Sequence, residues 1–156
     1  MSKIDTQAAH KFFSANFFNT TWDFIDKETR TDEENEDMIL NAMSSLMHWK
    51  LRGDATDTNI SISYWQISRV YSLANNAQEA SHYGHKCLEV SKDGKTPPFY
   101  LAYAYEAIAL ANFIAGNKEE SNKYLKLAYD ASENITVADN KSMILVDLDT
   151  LKAKLA

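Results

Sequence analysis

Two stretches of this chain carry the same order of large and small residues 41 positions apart, and that narrows the folds open to it. With Tyr64 set against Tyr105, Ile67 falls on Ile108, Ser68 on Ala109, Ala80 on Ser121 and Cys87 on Ala128. In the first stretch Ile60, Tyr64, Ile67, Tyr71 and Ala74 recur at steps of three and four, which places them on one face of a helix. A polar break follows at Asn75-Asn76. Ala80, Gly84 and Cys87 then continue the spacing with small residues, which lets two helices approach closely. Each stretch is a helical hairpin, too thin to bury its own apolar side, so the two are expected to stack.

The rest of the chain extends the same design. A first helix is expected from about Thr6 to Asp26, with Phe13, Phe17 and Phe24 on a stripe broadened by Phe12, Phe18, Trp22 and Ile25. A helix so apolar around its girth should be covered on more than one side. Thr31-Asp-Glu-Glu34 fits a capping box for a second helix, whose core side is Met38 or Ile39, Ala42, Met43, Leu46 and Trp49. Gly53 is expected to end it in a left-handed conformation. Beyond the fourth helix, Gly94 suits a stop, Thr96 an N-cap and Pro97 a first helical turn. Gly116 ends the fifth helix and Asn117 opens the sixth. A last helix, about 139–155, alternates Ile144, Leu148, Leu151 and Leu155 with Asp147, Asp149, Lys152 and Lys154, as a capping helix with one wet face would. The expectation is one all-α domain of about seven helices, with hairpins at about 6–53, 57–92 and 97–132 and a C-terminal cap.

Composition removes several functional classes. The 156 residues include only four Gly and two Pro, which suits long helices. A net charge of −6 disfavours nucleic acid and anionic membrane surfaces, both of which select basic faces. With one cysteine no internal disulfide forms. No apolar run reaches the ~20 residues a membrane span needs, and the first residues lack a signal-peptide core. A cytoplasmic location is expected.

The order of aromatic, small, small and small positions across two helices, from about Ile60 to Ser132, resembles the tetratricopeptide repeat. The period of 41 departs from about 34, Gly84 stands where a large aromatic is usual, and the first hairpin shows no clear register with the others. The resemblance implies a short right-handed superhelix whose concave groove is lined by the first helix of each hairpin. Arg30-Thr31, Met38, Ser45 and His48-Trp49, then Trp65 to Tyr71 and Ala102 to Ala107, are also similar to a set of uncharacterised bacterial proteins of about this length. That likeness implies the same helical architecture and adds no chemistry.

Carried over by register, the groove holds Ile62, Trp65, Arg69 and Ser72 from the third helix and Tyr103, Glu106, Leu110 and Phe113 from the fifth. An arginine beside large aromatics suits anchoring of a peptide or carboxylate. The structural alternative, preferred residue for residue, pairs Arg69 with Glu106 across neighbouring helices inside a packing of Trp65 and Tyr103. His48 is a candidate for reaching the same groove as acid, base or metal ligand, against a structural histidine as the simpler account. His82 and His85, three apart on the fourth helix, read as surface histidines, and His10 as isolated. Asp32 to Asp37 lacks calcium-loop spacing and reads as a helix start. Cys87 reads as a buried inert thiol.

No nucleophile elbow, phosphate loop or zinc spacing is present, so the balance leans away from an enzyme and no metal or cofactor is expected. The functional expectation is a protein- or peptide-interaction module using Trp65, Arg69, Tyr103, Glu106, His48 and Phe113, with a second copy of the chain as a further candidate partner. The alternative is an enzyme or metal-binding helical protein using His48, Arg69 and Glu106.

Overall fold

The computed structural model describes residues 4–156, and every regular element among them is an α-helix. In chain order these are α1 (Thr6–Ile25), α2 (Asp32–Leu51), α3 (Asp57–Leu73), α4 (Ala77–Ser91), α5 (Pro98–Ile114), α6 (Lys118–Ser132) and α7 (Ala138–Leu155). Each helix packs on its neighbour in sequence. The odd-numbered helices also touch one another, α1 on α3, α3 on α5 and α5 on α7, whereas the even-numbered ones meet only through side chains, as where His85 of α4 lies edge-on to Tyr124 of α6. The result is two layers, an inner row of four helices and an outer row of three.

The helix starts are set by side chains at the caps. Thr31 and Thr56 each complete a capping box, with Glu34 and Asn59 reaching back to the cap backbone. Asn76 and Asn117, equivalent across the 41-residue period, each accept the N–H of a glutamate three residues on. The residues just before them, Asn75 (φ 58°) and Gly116 (φ 79°), are both left-handed, so the two hairpins turn in the same way.

Matched positions make matched contacts. Ile67 and Ile108 are fully buried, as are Cys87 and Ala128. Tyr64 stacks on Tyr83 and Tyr105 lies over Tyr124, with centroids 6.2 and 6.4 Å apart. One pair of positions is used in opposite senses. In α3/α4 the Ser68 hydroxyl donates to the Ala80 carbonyl at 2.7 Å, whereas in α5/α6 Ser121 donates to the Ala109 carbonyl at 2.8 Å. The serine and alanine have changed helices, and the hydrogen bond between the helices survives.

Gly84 explains the close approach of α4 to the inner row. A Cβ added there would lie 3.1 Å from Cγ1 of Ile108 and 3.4 Å from the Ser68 hydroxyl. A large aromatic at this position has no room. The core has two parts. Met38, Ile67, Val70 and Cys87 fill the space among α2, α3 and α4, while Leu125, Ile144, Leu148 and Leu151 fill that among α5, α6 and α7. Trp65 packs against both.

Three expectations are corrected. The α1 helix is not covered on several sides: its buried residues are Ser14 and Thr21, and Phe12 and Phe13 remain exposed. Phe24 and Ile25 pack half-buried against the core, and polar bonds add to that hold. Ser45 donates to the Ser14 carbonyl (2.8 Å), Arg52 to the Ser14 hydroxyl (3.0 Å) and Gln66 to the Phe18 carbonyl (3.1 Å). Gly53 is not left-handed; α2 ends at an extended Arg52, and the Gly53 N–H is satisfied by the Gln7 side chain. Before α5 the cap shifts by one residue to Pro97, while Thr96 is buried and donates to the Ser91 carbonyl.

Candidate functional site

The inner row of helices encloses a cleft of about 410 Å³. Every odd-numbered helix contributes: Phe18 and Trp22 from α1, Ser61, Ile62 and Trp65 from α3, Phe99, Tyr100 and Tyr103 from α5, and Met143 and Asp147 from α7. Its size is that of a small-molecule or side-chain pocket, and its walls are almost wholly apolar. The rings are held at angles to one another. Trp22 stacks on Trp65 (5.9 Å, 30°), Tyr103 meets Trp65 edge-on (5.4 Å, 73°), and Phe99 meets Tyr103 edge-on (5.0 Å, 79°). Such offset and edge contacts hold the aromatic side chains against one another.

Behind the rings lies a buried ionic centre. Glu106 is 2% exposed, and its two carboxylate oxygens are divided between α3 donors: Arg69 Nη2 at 3.0 Å on Oε1 and Trp65 Nε1 at 3.2 Å on Oε2. The Arg69 guanidinium also lies 5.1 Å from the Trp65 ring. Burial pushes the Glu106 pKa up, while Arg69 and the Trp65 N–H pull against it. The arrangement is the cross-helix pairing that the structural alternative anticipated. Its consequence for the cleft is positional: the bond that Trp65 donates to Glu106 sets the indole ring against Trp22 and Tyr103.

In the cleft wall, the Tyr103 hydroxyl donates to Asp147 Oδ2 at 2.7 Å. Burial, and then the Asp147 carboxylate, push the Tyr103 pKa well above the usual tyrosine range, so the phenol stays protonated as the donor. A second bond of the same kind, from Tyr129 to Asp149, ties α6 to α7 at 2.5 Å. The two aspartates thus fasten the last helix as well as wetting it, contrary to a purely solvent-facing role.

Trp65, Arg69, Tyr103 and Glu106 therefore come together. His48 and Phe113 do not join them. Phe113 packs against the C-terminal core. His48 sits between α1 and α2, its Nδ1 at 2.9 Å from that of His10 and its ring against Phe13 and Phe17. His10 is thus not isolated. Burial and then His10 lower the His48 pKa, favouring the neutral ring. His82 and His85 are exposed on α4. Cys87 is fully buried, its thiol pushed up to about 11 by burial. Among the described residues no three His, Cys, Asp or Glu side chains converge as a metal site.

Asp147, Trp22 and Phe18 were missed from sequence. A signal for the first exists. The 41-residue step from Trp65 to Glu106 leads on to Asp147, so the site residues of α3, α5 and α7 are one register position repeated. Trp22 and Phe18 carry no such mark, because α1 lies outside the clear repeat.

No family model, curated protein or solved structure matches the chain. No helix of the described residues is long and apolar enough to cross a membrane.

Proposed function

We propose that this chain is a tetratricopeptide-like binding module that takes an extended segment of a partner protein along its inner helix row and seats one side chain of that segment in the aromatic cleft. The observation that carries the reading is the cleft itself, assembled from all four odd-numbered helices and lined by six rings. Helical stacks bind extended chains along surfaces made by successive repeats, and buried aromatic pockets supply most of the energy at such interfaces. The Arg69–Glu106 pair supports the site from behind and does not serve as the anchor, since each charge is satisfied by the other. A catalytic use of His48 with Arg69 and Glu106 needs those side chains to converge, whereas His48 contacts His10, Phe13 and Phe17.

Trp22 is the place to test it, because it lines the cleft and takes no part in the ionic centre. Blocked peptides titrated against tryptophan fluorescence should bind the wild-type protein, and Trp22→Ala should weaken binding about tenfold or more, in line with loss of an anchoring aromatic. Helical circular dichroism should be retained. Equal affinity in the two proteins, or no peptide bound by either, overturns the proposal.

A further inference from the structure

Asp147 is the one acidic side chain among those lining the cleft, and no basic side chain lines it. Arg69, whose cation flanks Trp65, is taken up by Glu106 and brings no free positive charge to the site. Asp147 uses Oδ2 to accept the Tyr103 hydroxyl. Its other oxygen has no hydrogen-bond partner among the described residues, and no Lys or Arg of the described chain pairs with it. A carboxylate with one open oxygen therefore lines a pocket walled by the rings of Trp22, Trp65 and Tyr103.

This is the surrounding that an organic cation with an apolar stem selects. Aromatic faces attract a cation through their quadrupole, most strongly where water is excluded. The stem buries against the same rings while the charged head pairs with the carboxylate. An anionic or neutral polar head would meet Asp147 with repulsion or with no ion pair. We infer that the cleft takes an alkylammonium group, and, resting on the peptide-binding reading above, that the side chain it seats is lysine. Lysine fits better than arginine because Tyr103 occupies one Asp147 oxygen, which leaves a single acceptor for a point charge and not two for a planar fork.

The test uses the full chain and blocked pentapeptides that differ only at the central residue, lysine, arginine, norleucine or glutamate, together with free butylamine and butanol, followed by calorimetry. The lysine peptide should bind at least tenfold more tightly than the norleucine peptide, and butylamine more tightly than butanol. Asp147→Asn keeps an oxygen for the Tyr103 hydroxyl, so the fold should persist by circular dichroism while the lysine preference falls to within about twofold of norleucine. A norleucine peptide that binds as well as lysine overturns the cation inference and leaves the peptide groove standing. Butylamine binding without any peptide binding overturns the lysine assignment and the peptide groove together, and makes the occupant a free amine. A lysine preference unchanged in Asp147→Asn, or an arginine or glutamate peptide that binds most tightly, also overturns the inference.

Discussion

Glu106 is a carboxylate removed almost completely from water, and the sign of its effect on stability follows from that. Its folded pKa lies above the ordinary glutamate value of 4.5, burial being the largest cause. The folded protein therefore holds a proton that the unfolded chain has already released. The resulting contribution is fully present below about pH 4.5 and is lost as pH rises through the folded value. The expected outcome is that wild-type stability, measured by urea unfolding relative to Glu106→Gln, declines as pH is raised across that window. A difference that is flat, or that grows with pH, would sink the assignment. The pairing of Arg69 with Glu106 was legible from register alone, because both positions face the same way on adjacent inner helices. The direction of the Glu106 shift was not legible, since it depends on how completely the surrounding rings exclude water.

At the scale of the element, the hydroxyl shared by each hairpin gives the clearest experiment. Ser68 and Ala80 bridge α3 to α4, while Ala109 and Ser121 bridge α5 to α6 with the donor on the other helix. Ser68→Ala removes a buried hydrogen bond and should cost about 1 kcal/mol. Adding Ala80→Ser recreates the geometry of the second hairpin, so the double variant should return to within about 0.5 kcal/mol of the starting protein by chemical denaturation. A double variant no more stable than the single one would show that the two bridges are not equivalent. Helix existence and register were readable here because the apolar period is strong. Helix ends were less so. Gly53 looked like a left-handed stop, but Gln7 from the distant α1 satisfies its N–H in an ordinary conformation, a tertiary bond that local spacing cannot announce. Thr96 looked like a cap, yet the buried Ser91 carbonyl claims its hydroxyl first.

Over the whole molecule, the inner row of helices forms the candidate site and the outer row completes the two cores. The misjudged part is α1, where seven aromatic or branched apolar side chains suggested deep burial. What is fully buried there is Ser14 and Thr21; Phe24 and Ile25 pack only half-buried on the core, and hydrogen bonds from Ser45, Arg52 and Gln66 supply further connections. Apolar content counts how much surface a helix offers, not how much its neighbours cover, and α1 has only α2 along its length with a slighter contact to α3. A segment held this way opens locally before the rest. Amide hydrogen exchange should accordingly be faster across α1 than across α5, and uniform protection of the two would refute the ranking. Because Phe18 and Trp22 ride on α1, the pocket has one hinged jamb in an otherwise fixed frame. Guests should then be shed on warming well before the remaining coils melt, and a bound guest should in turn clamp that jamb shut.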